Sequence, residues 1–149
     1  MRRRTFLAGA GSTAALTGLA GCFGGGSDTL EGTLTVATYA SFTGEDTAGN
    51  WLKSAFEDEY NGATVEFRTP ENGINQFIQR RSEGAPIDAD LFVGLNTGEL
   101  VRADDQLDSR LFAATSDRVE GSDAVKSALN FDPDGRVIPY DTGYISLVY

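Results

Sequence analysis

Between residues 33 and 94 the spacing of apolar side chains switches between a period of two and a period of 3.6, and this alternation constrains the fold more than any other feature. Thr33 to Thr38 alternates Leu34 and Val36 with smaller residues, as a strand does. Gly49 to Tyr60 then sets Trp51, Leu52, Ala55, Phe56 and Tyr60 on one helical face, with Lys53, Glu57 and Asp58 off it, before an Asn61-Gly62 stop. Ala63 to Arg68 returns to period two through Val65 and Phe67. Asn72 is expected to cap a helix from Gly73 to Ser82 whose buried stripe is Ile74, Phe77 and Ile78. Ala89 to Gly94 is a short apolar run, expected as a strand buried on both faces. Strand, helix, strand, helix, strand in that order implies an α/β fold with right-handed crossovers, a mainly parallel sheet and helices on both faces.

Beyond this unit the signals are shorter. Thr97 to Ala103 and Ser122 to Leu129 are expected as short helices. Asp132-Pro133-Asp134-Gly135 is a turn by its chemistry, leading into strands at Arg136 to Tyr140 and Tyr144 to Tyr149. Helical spacing assigns Trp51, Phe56, Phe77 and Ile78 to the core. Glu57-Asp58-Glu59 and Asp104-Asp105 read as solvated acidic turns.

The 149 residues suit one modest domain of about 100–200 residues. Arg2, Arg3 and Arg4 all precede Cys22 and no acid does, which leaves 9 basic residues against 22 acidic ones, a net of −13, from Cys22 onward. Such a surface repels nucleic acid and anionic lipid, and it suits a halophilic setting in which salt screens like charges. The absence of histidine removes Ser-His-Asp, Cys-His and HExxH chemistry, and a single cysteine allows no internal disulfide. No catalytic residues, no metal site and no cofactor are expected.

Residues 1–22 read as an export address. A short basic segment precedes the uncharged, Ala-, Gly- and Leu-rich stretch Thr5 to Ala20, which is shorter than the ~20 apolar residues of a membrane span. Arg3 and Arg4, followed by Thr5-Phe6-Leu7, resemble a twin-arginine motif. Leu19-Ala20-Gly21-Cys22 resembles a lipobox, with Cys22 as the lipidated residue. Residues 23–32, with Gly24-Gly25-Gly26-Ser27, form a flexible tether, and 33–149 form the globular part. The expected location is extracytoplasmic, held to the outer face of the cell membrane by lipid on Cys22.

In open parallel sheets, ligands bind beyond the carboxyl ends of the strands. That rule selects the loops after the predicted strands, which carry Tyr39, Ser41, Phe42, Glu71, Asn72, Gly73, Asn96, Tyr140, Asp141 and Tyr144. Aromatic faces beside carboxylates suit a flat organic cation, since cation–π contact contributes ~0.5–2 kcal/mol.

The same loops carry a family resemblance. Thr35 to Phe42 (TVATYASF) resembles the opening strand of thiamine-binding subunits of ABC importers, which run from a hydrophobic strand into TYxSF. Glu71-Asn72-Gly73 is similar to the family's E-D-G turn, and Asp90 to Asn96 (DLFVGLN) to its ADVVLGLD-type strand, each with Asn in place of the usual Asp. Pro139 to Tyr144 resembles its P-[FY]-D-x-G-Y segment. The resemblance covers about Leu34 to Tyr149. It implies lobe one of a periplasmic-binding-protein type II fold, the second lobe being absent or truncated, which closes on thiamine or a thiamine phosphate. By the same resemblance Tyr39 faces the ligand ring, Asn72 and the Gly73 amide meet its polar or phosphate end, and Asp141 and Tyr144 lie where the chain crosses to the other lobe. The implied partners are an ABC permease and its ATPase subunit.

Two other receptor types share these residue classes: one for polyamines, which needs carboxylates and aromatics, and one for ferric iron, which needs a tyrosine pair. A structural surface lipoprotein is the alternative without a ligand. A secreted hydrolase lacks support, because no Gly-x-Ser-x-Gly elbow is present.

Overall fold

A computed structural model describes residues 31–143. The elements in chain order are β1 (Gly32–Ala37), α1 (Ala48–Glu59), β2 (Ala63–Arg68), α2 (Ile74–Ser82), β3 (Leu91–Phe92) and α3 (Thr97–Gln106), with 3-10 turns at Ala40–Phe42, Ser116–Arg118, Ser122–Ala124 and Ser127–Leu129. The expected signal and nearly all of the tether, and the expected strand at Tyr144 to Tyr149, lie outside the described residues.

The three strands form one parallel sheet in the order β2-β1-β3. β1 pairs with β2 along its whole length, from Gly32 opposite Ala63 to Ala37 opposite Arg68. Its pairing with β3 is confined to Val36 opposite Leu91 and Ala37 opposite Phe92. Because all strands run the same way, Tyr39, Thr69 and Val93 leave the sheet at one end.

The pleat sends alternate residues to opposite faces. Ala37 joins Ile74, Phe77 and Ile78 of α2 and Ala103 of α3 in the main core, flanked by Phe92, Leu95 and Leu111. Phe77 meets Phe92 edge-on, ring centroids 5.9 Å apart. Burying each large side chain of this cluster contributes about 1.5–3 kcal/mol. Val36 and Val65 are buried as well, and Phe67 meets Phe42 edge-on at 6.2 Å. The sequence-derived stripes Ile74/Phe77/Ile78 and Val65/Phe67 therefore pack as their periods required.

Helix α1 departs from expectation. Trp51 is 69% exposed and Leu52 50%, so neither belongs to the core of this sheet, and Phe56 is half-buried against Tyr60. The helix turns its charged pair toward the sheet instead. Lys53 Nζ donates to the Val65 carbonyl at 2.7 Å, and the Val65 amide donates to Glu57 Oε1 at 2.7 Å. Val65 sits on the outer side of β2, where no further strand pairs among the described residues. The outer peptide groups of an edge strand need partners, and here two side chains supply them.

Four further expectations are corrected. The strand at Ala89 to Gly94 shrinks to Leu91–Phe92, and Leu91 is exposed, not buried on both faces. Asp90 supplies extra pairing to β1 through its side chain, which accepts from the Thr35 amide at 2.9 Å. Ser122 to Leu129 forms two 3-10 turns because Val125 and Lys126 between them are extended. Arg136 to Tyr140 is not a strand: Asp132 Oδ2 accepts from the amides of Arg136 and Val137 at 2.6 and 3.2 Å, so a side chain takes donors a ladder would use. Asp104, read as solvated, is bound to Arg136 at 2.7 and 2.9 Å.

Candidate ligand-binding site

Tyr39 leaves the carboxyl end of β1 and enters the 3-10 turn Ala40–Phe42. Its ring lies 5.7 Å from that of Phe42. Phe42 is itself fixed: Thr47 Oγ1 donates to its carbonyl at 2.7 Å, and the buried Gly49 at the start of α1 leaves room for its ring. A Cβ at Gly49 would lie 2.6 Å from Phe42 Cδ1, so a larger residue would push the turn away.

Tyr140 approaches Tyr39 from 101 residues later in the chain, with the two hydroxyls 3.5 Å apart. That distance is the outer limit of a hydrogen bond, so the contact orients the rings more than it binds them. The hydrogen bond with Tyr39, then burial and the charges of Tyr39 and Asp141, push the Tyr140 phenol up to about 12. Both rings remain open to solvent, Tyr39 at 44% and Tyr140 at 60%.

An ionic cluster holds the segment before Tyr140. Arg136, its side chain only 6% exposed, pairs with fully buried Asp132 at 2.8 Å and with Asp104 of α3 at 2.7 Å. Arg110 adds contacts of 2.8 Å to Asp104 and 2.6 Å to Asp134. Burial opposes ionisation of Asp132, but hydrogen bonds from the Arg136 guanidinium and amide and from the Asp134 amide hold its carboxyl below the ordinary value. Hydrogen bonding to Arg136 lowers Asp104 in the same direction, against burial. Arg136 stays charged, held above its ordinary value by Asp104 and Asp132. A groove of about 630 Å³ runs from Phe77 and Leu91 past Ile138 to Tyr140 and Asp141, within the ~300–1,000 Å³ of small-molecule sites.

The structure brings together only part of the predicted constellation. Tyr39 and Tyr140 meet, Ser41 is exposed in the turn beside Tyr39, and exposed Asp141 follows Tyr140. Glu71 and Asn72 are exposed beyond β2, and none of Glu71, Asn72 and Gly73 hydrogen-bonds to the tyrosine pair. Asn72 does not cap α2; Gly73 holds that position with φ 54°, and its amide donates to the Pro70 carbonyl at 3.2 Å. Asn96 caps α3 instead of pointing a free amide at a ligand. Its Oδ1 accepts from the Glu99 amide at 2.9 Å, and Glu99 Oε2 accepts from the Asn96 amide at 3.0 Å. Tyr144, Cys22, Arg3 and Arg4 lie outside the described residues.

Two residues at this end of the sheet lie in segments the sequence pointed to but were assigned no role there. Thr38 is 1% exposed, and its hydroxyl has no hydrogen-bond partner among the described residues. Gly94, at the end of β3, touches the Tyr39 ring. Among the described residues no cluster of three His, Cys, Asp or Glu side chains could hold a metal, and no helix is long and apolar enough to cross a membrane.

The chain is similar to the thiamine-binding periplasmic protein of Salmonella typhimurium, 32% identical over 116 residues that cover 78% of this chain and 33% of that protein. It is also similar to the thiamine-binding periplasmic protein of Brucella suis, 33% identical over 117 residues covering 78% of this chain and 33% of that one. The chain thus spans about a third of the length of the curated relatives it matches. No family model and no solved structure matches it.

Proposed function

We propose that this chain is the ligand-contacting part of an extracytoplasmic solute-binding protein that captures thiamine or a thiamine phosphate and delivers it to an ABC permease and its ATPase subunit. The reading has no catalytic step. The observation that carries it is the convergence of Tyr39 and Tyr140 at the carboxyl end of a parallel sheet, in a chain similar to two thiamine-binding periplasmic proteins. Two aromatic rings beside Asp141 suit the flat, cationic ring system of the vitamin, with cation–π attraction across the ring faces and a carboxylate to offset the charge. Lipid on Cys22, after export directed by Arg3 and Arg4, would keep the protein at the outer face of the cell membrane.

The geometry at α2 bears on the form that is carried. The amides of Gly73, Asn75 and Gln76 already donate to Pro70, Asn72 and Gly73 carbonyls at 3.2–3.3 Å, which leaves little of the helix N-terminus for a phosphate. Unphosphorylated thiamine is therefore the expected tighter ligand.

Calorimetric titration of the purified chain with thiamine, thiamine phosphate, spermidine and ferric citrate tests the reading. Saturable heat with thiamine is expected, and Tyr39→Ala should weaken it about 3- to 30-fold, the equivalent of one cation–π contact. Binding of spermidine or ferric citrate with none of thiamine would reassign the receptor, and no response to any of the four would favour a structural surface lipoprotein.

A further inference from the structure

Tyr39 is held in place by two different glycines, one acting through Phe42 and one directly. Gly94 follows β3 with φ 98°, a conformation that favours glycine. A Cβ built on it would lie 2.5 Å from both Cδ1 and Cε1 of Tyr39. Real Cβ atoms do not approach carbon that closely, so one edge of the Tyr39 ring occupies the volume a side chain at 94 would need. A second constraint comes from Phe42, whose ring is 5.7 Å away and whose carbonyl is tied to Thr47. The Tyr39 ring thus contacts both Phe42 and the backbone at Gly94, just past β3, with its hydroxyl toward Tyr140.

We propose that Gly94 is a positioning residue of the binding site: its missing side chain is the seat for the Tyr39 ring and sets where the aromatic wall of the cleft stands. The inference deepens the receptor reading and rests on it for the identity of the ligand, but the seating of the ring can be measured without any ligand. Gly94 acts through Tyr39, and its own backbone also lines the groove. A residue with a Cβ at 94 moves the ring off the sheet end and separates it from Tyr140.

The test uses the full chain with Gly94→Ala, and Gly84→Ala as control. Gly84 also has a left-handed φ, 67°, but nothing lies within 4 Å of its would-be Cβ, so its replacement adds backbone strain without crowding. Gly94→Ala is expected to weaken thiamine binding by about ten-fold or more, whereas Gly84→Ala stays within about two-fold of the parent. In ring-labelled protein, the Tyr140 carbon signal, identified with Tyr140→Phe, should titrate at lower pH in Gly94→Ala than in the parent because the Tyr39 hydroxyl has moved away. Removing the ring should relieve the crowding at position 94. In the Tyr39→Ala background, Gly94→Ala should lower the unfolding midpoint less than it does in the parent, leaving only the backbone strain of φ 98°. That double variant decides the matter even if Gly94→Ala alone fails to fold. An unchanged Tyr140 titration in Gly94→Ala, or a midpoint penalty as large without the Tyr39 ring as with it, overturns the inference. A parent chain that ignores thiamine would sink the vitamin reading alone, since the titration and the double variant still report on the seat.

Discussion

Residues 32–106 and residues 107–143 are stabilised in different ways. The first region contains every strand and α-helix described, and its core is apolar: Ile74, Phe77, Ile78 and Ala103 close over Ala37. The second contains only 3-10 turns and irregular chain; Leu107, Leu111 and Phe112 pack its start against that core, and the rest is anchored by charge, Arg136 joining Asp132 within the segment to Asp104 on α3 and Arg110 bridging Asp104 and Asp134. Tyr39 belongs to the first region and Tyr140 to the second, so the candidate site is assembled where an apolar scaffold meets an ion-paired strap. One wall of the site should therefore answer to packing and the other to charge.

The change expected to separate the two regions most sharply is Arg136→Ala. It leaves buried Asp132 without its cation and should cost about 3–5 kcal/mol in urea unfolding, with loss of the Tyr39–Tyr140 contact. A cost below about 1 kcal/mol would mean the strap is held by its apolar residues after all. Acid should act on the same cluster more gently. Asp132 and Asp104 are both held below their ordinary value of 3.8 in the folded chain, so their contribution is complete above the unfolded value and is lost as pH falls through the lowered ones. Stability measured by chemical unfolding should therefore stay level down to about pH 4 and decline below it, and Asp132→Asn should flatten that decline. Within the first region, Asn96→Ala removes the cap of α3 and should cost about 1 kcal/mol, with thiamine affinity nearly unchanged. A large loss of affinity there would restore Asn96 as a ligand contact. The smallest effect is expected of Arg110→Ala, whose side chain is 57% exposed. Its cost should be under about 1 kcal/mol and should shrink further in molar salt, unlike that of Arg136→Ala.

The same division decides what could be read from the amino-acid order. Where packing follows a period, as at Val65 and Phe67 or at Ile74, Phe77 and Ile78, the pattern gave both the element and its buried face. Helix α1 shows the limit. Its apolar residues Trp51 and Leu52 outweigh Lys53 and Glu57 in any reading of amphipathicity, yet the charged pair faces inward because Val65 presents peptide groups that need partners. The strap carried no usable period. Arg136 to Tyr140 follows a turn as a strand would, but the side chain of Asp132 claims its first amides, a local competition that apolar patterning does not register, and the Arg136 that pairs with Asp132 is held by Asp104, 32 positions earlier. At the site, the rule of carboxyl strand ends selected Tyr39, which does leave β1, and Tyr140, which meets Tyr39 although the strand expected to carry it does not form. Asn96 serves as the cap of α3, and its partner Glu99 three residues on is a capping-box signature that the sequence does show. The strand-end rule selected the loop that Gly94 opens, but its role was beyond reach, because that lies in a ring 55 positions earlier in the chain.

Lys53 and Glu57 also have a consequence for how molecules of this protein behave toward one another. With both outer peptide groups of Val65 already occupied, a strand from a neighbour could dock on β2 only by evicting an ammonium and a carboxylate together. Among the described residues the outer flank of β2 is thus blocked at Val65. At high protein concentration this bolt works against fibril-like stacking while leaving the carboxyl end of the sheet untouched.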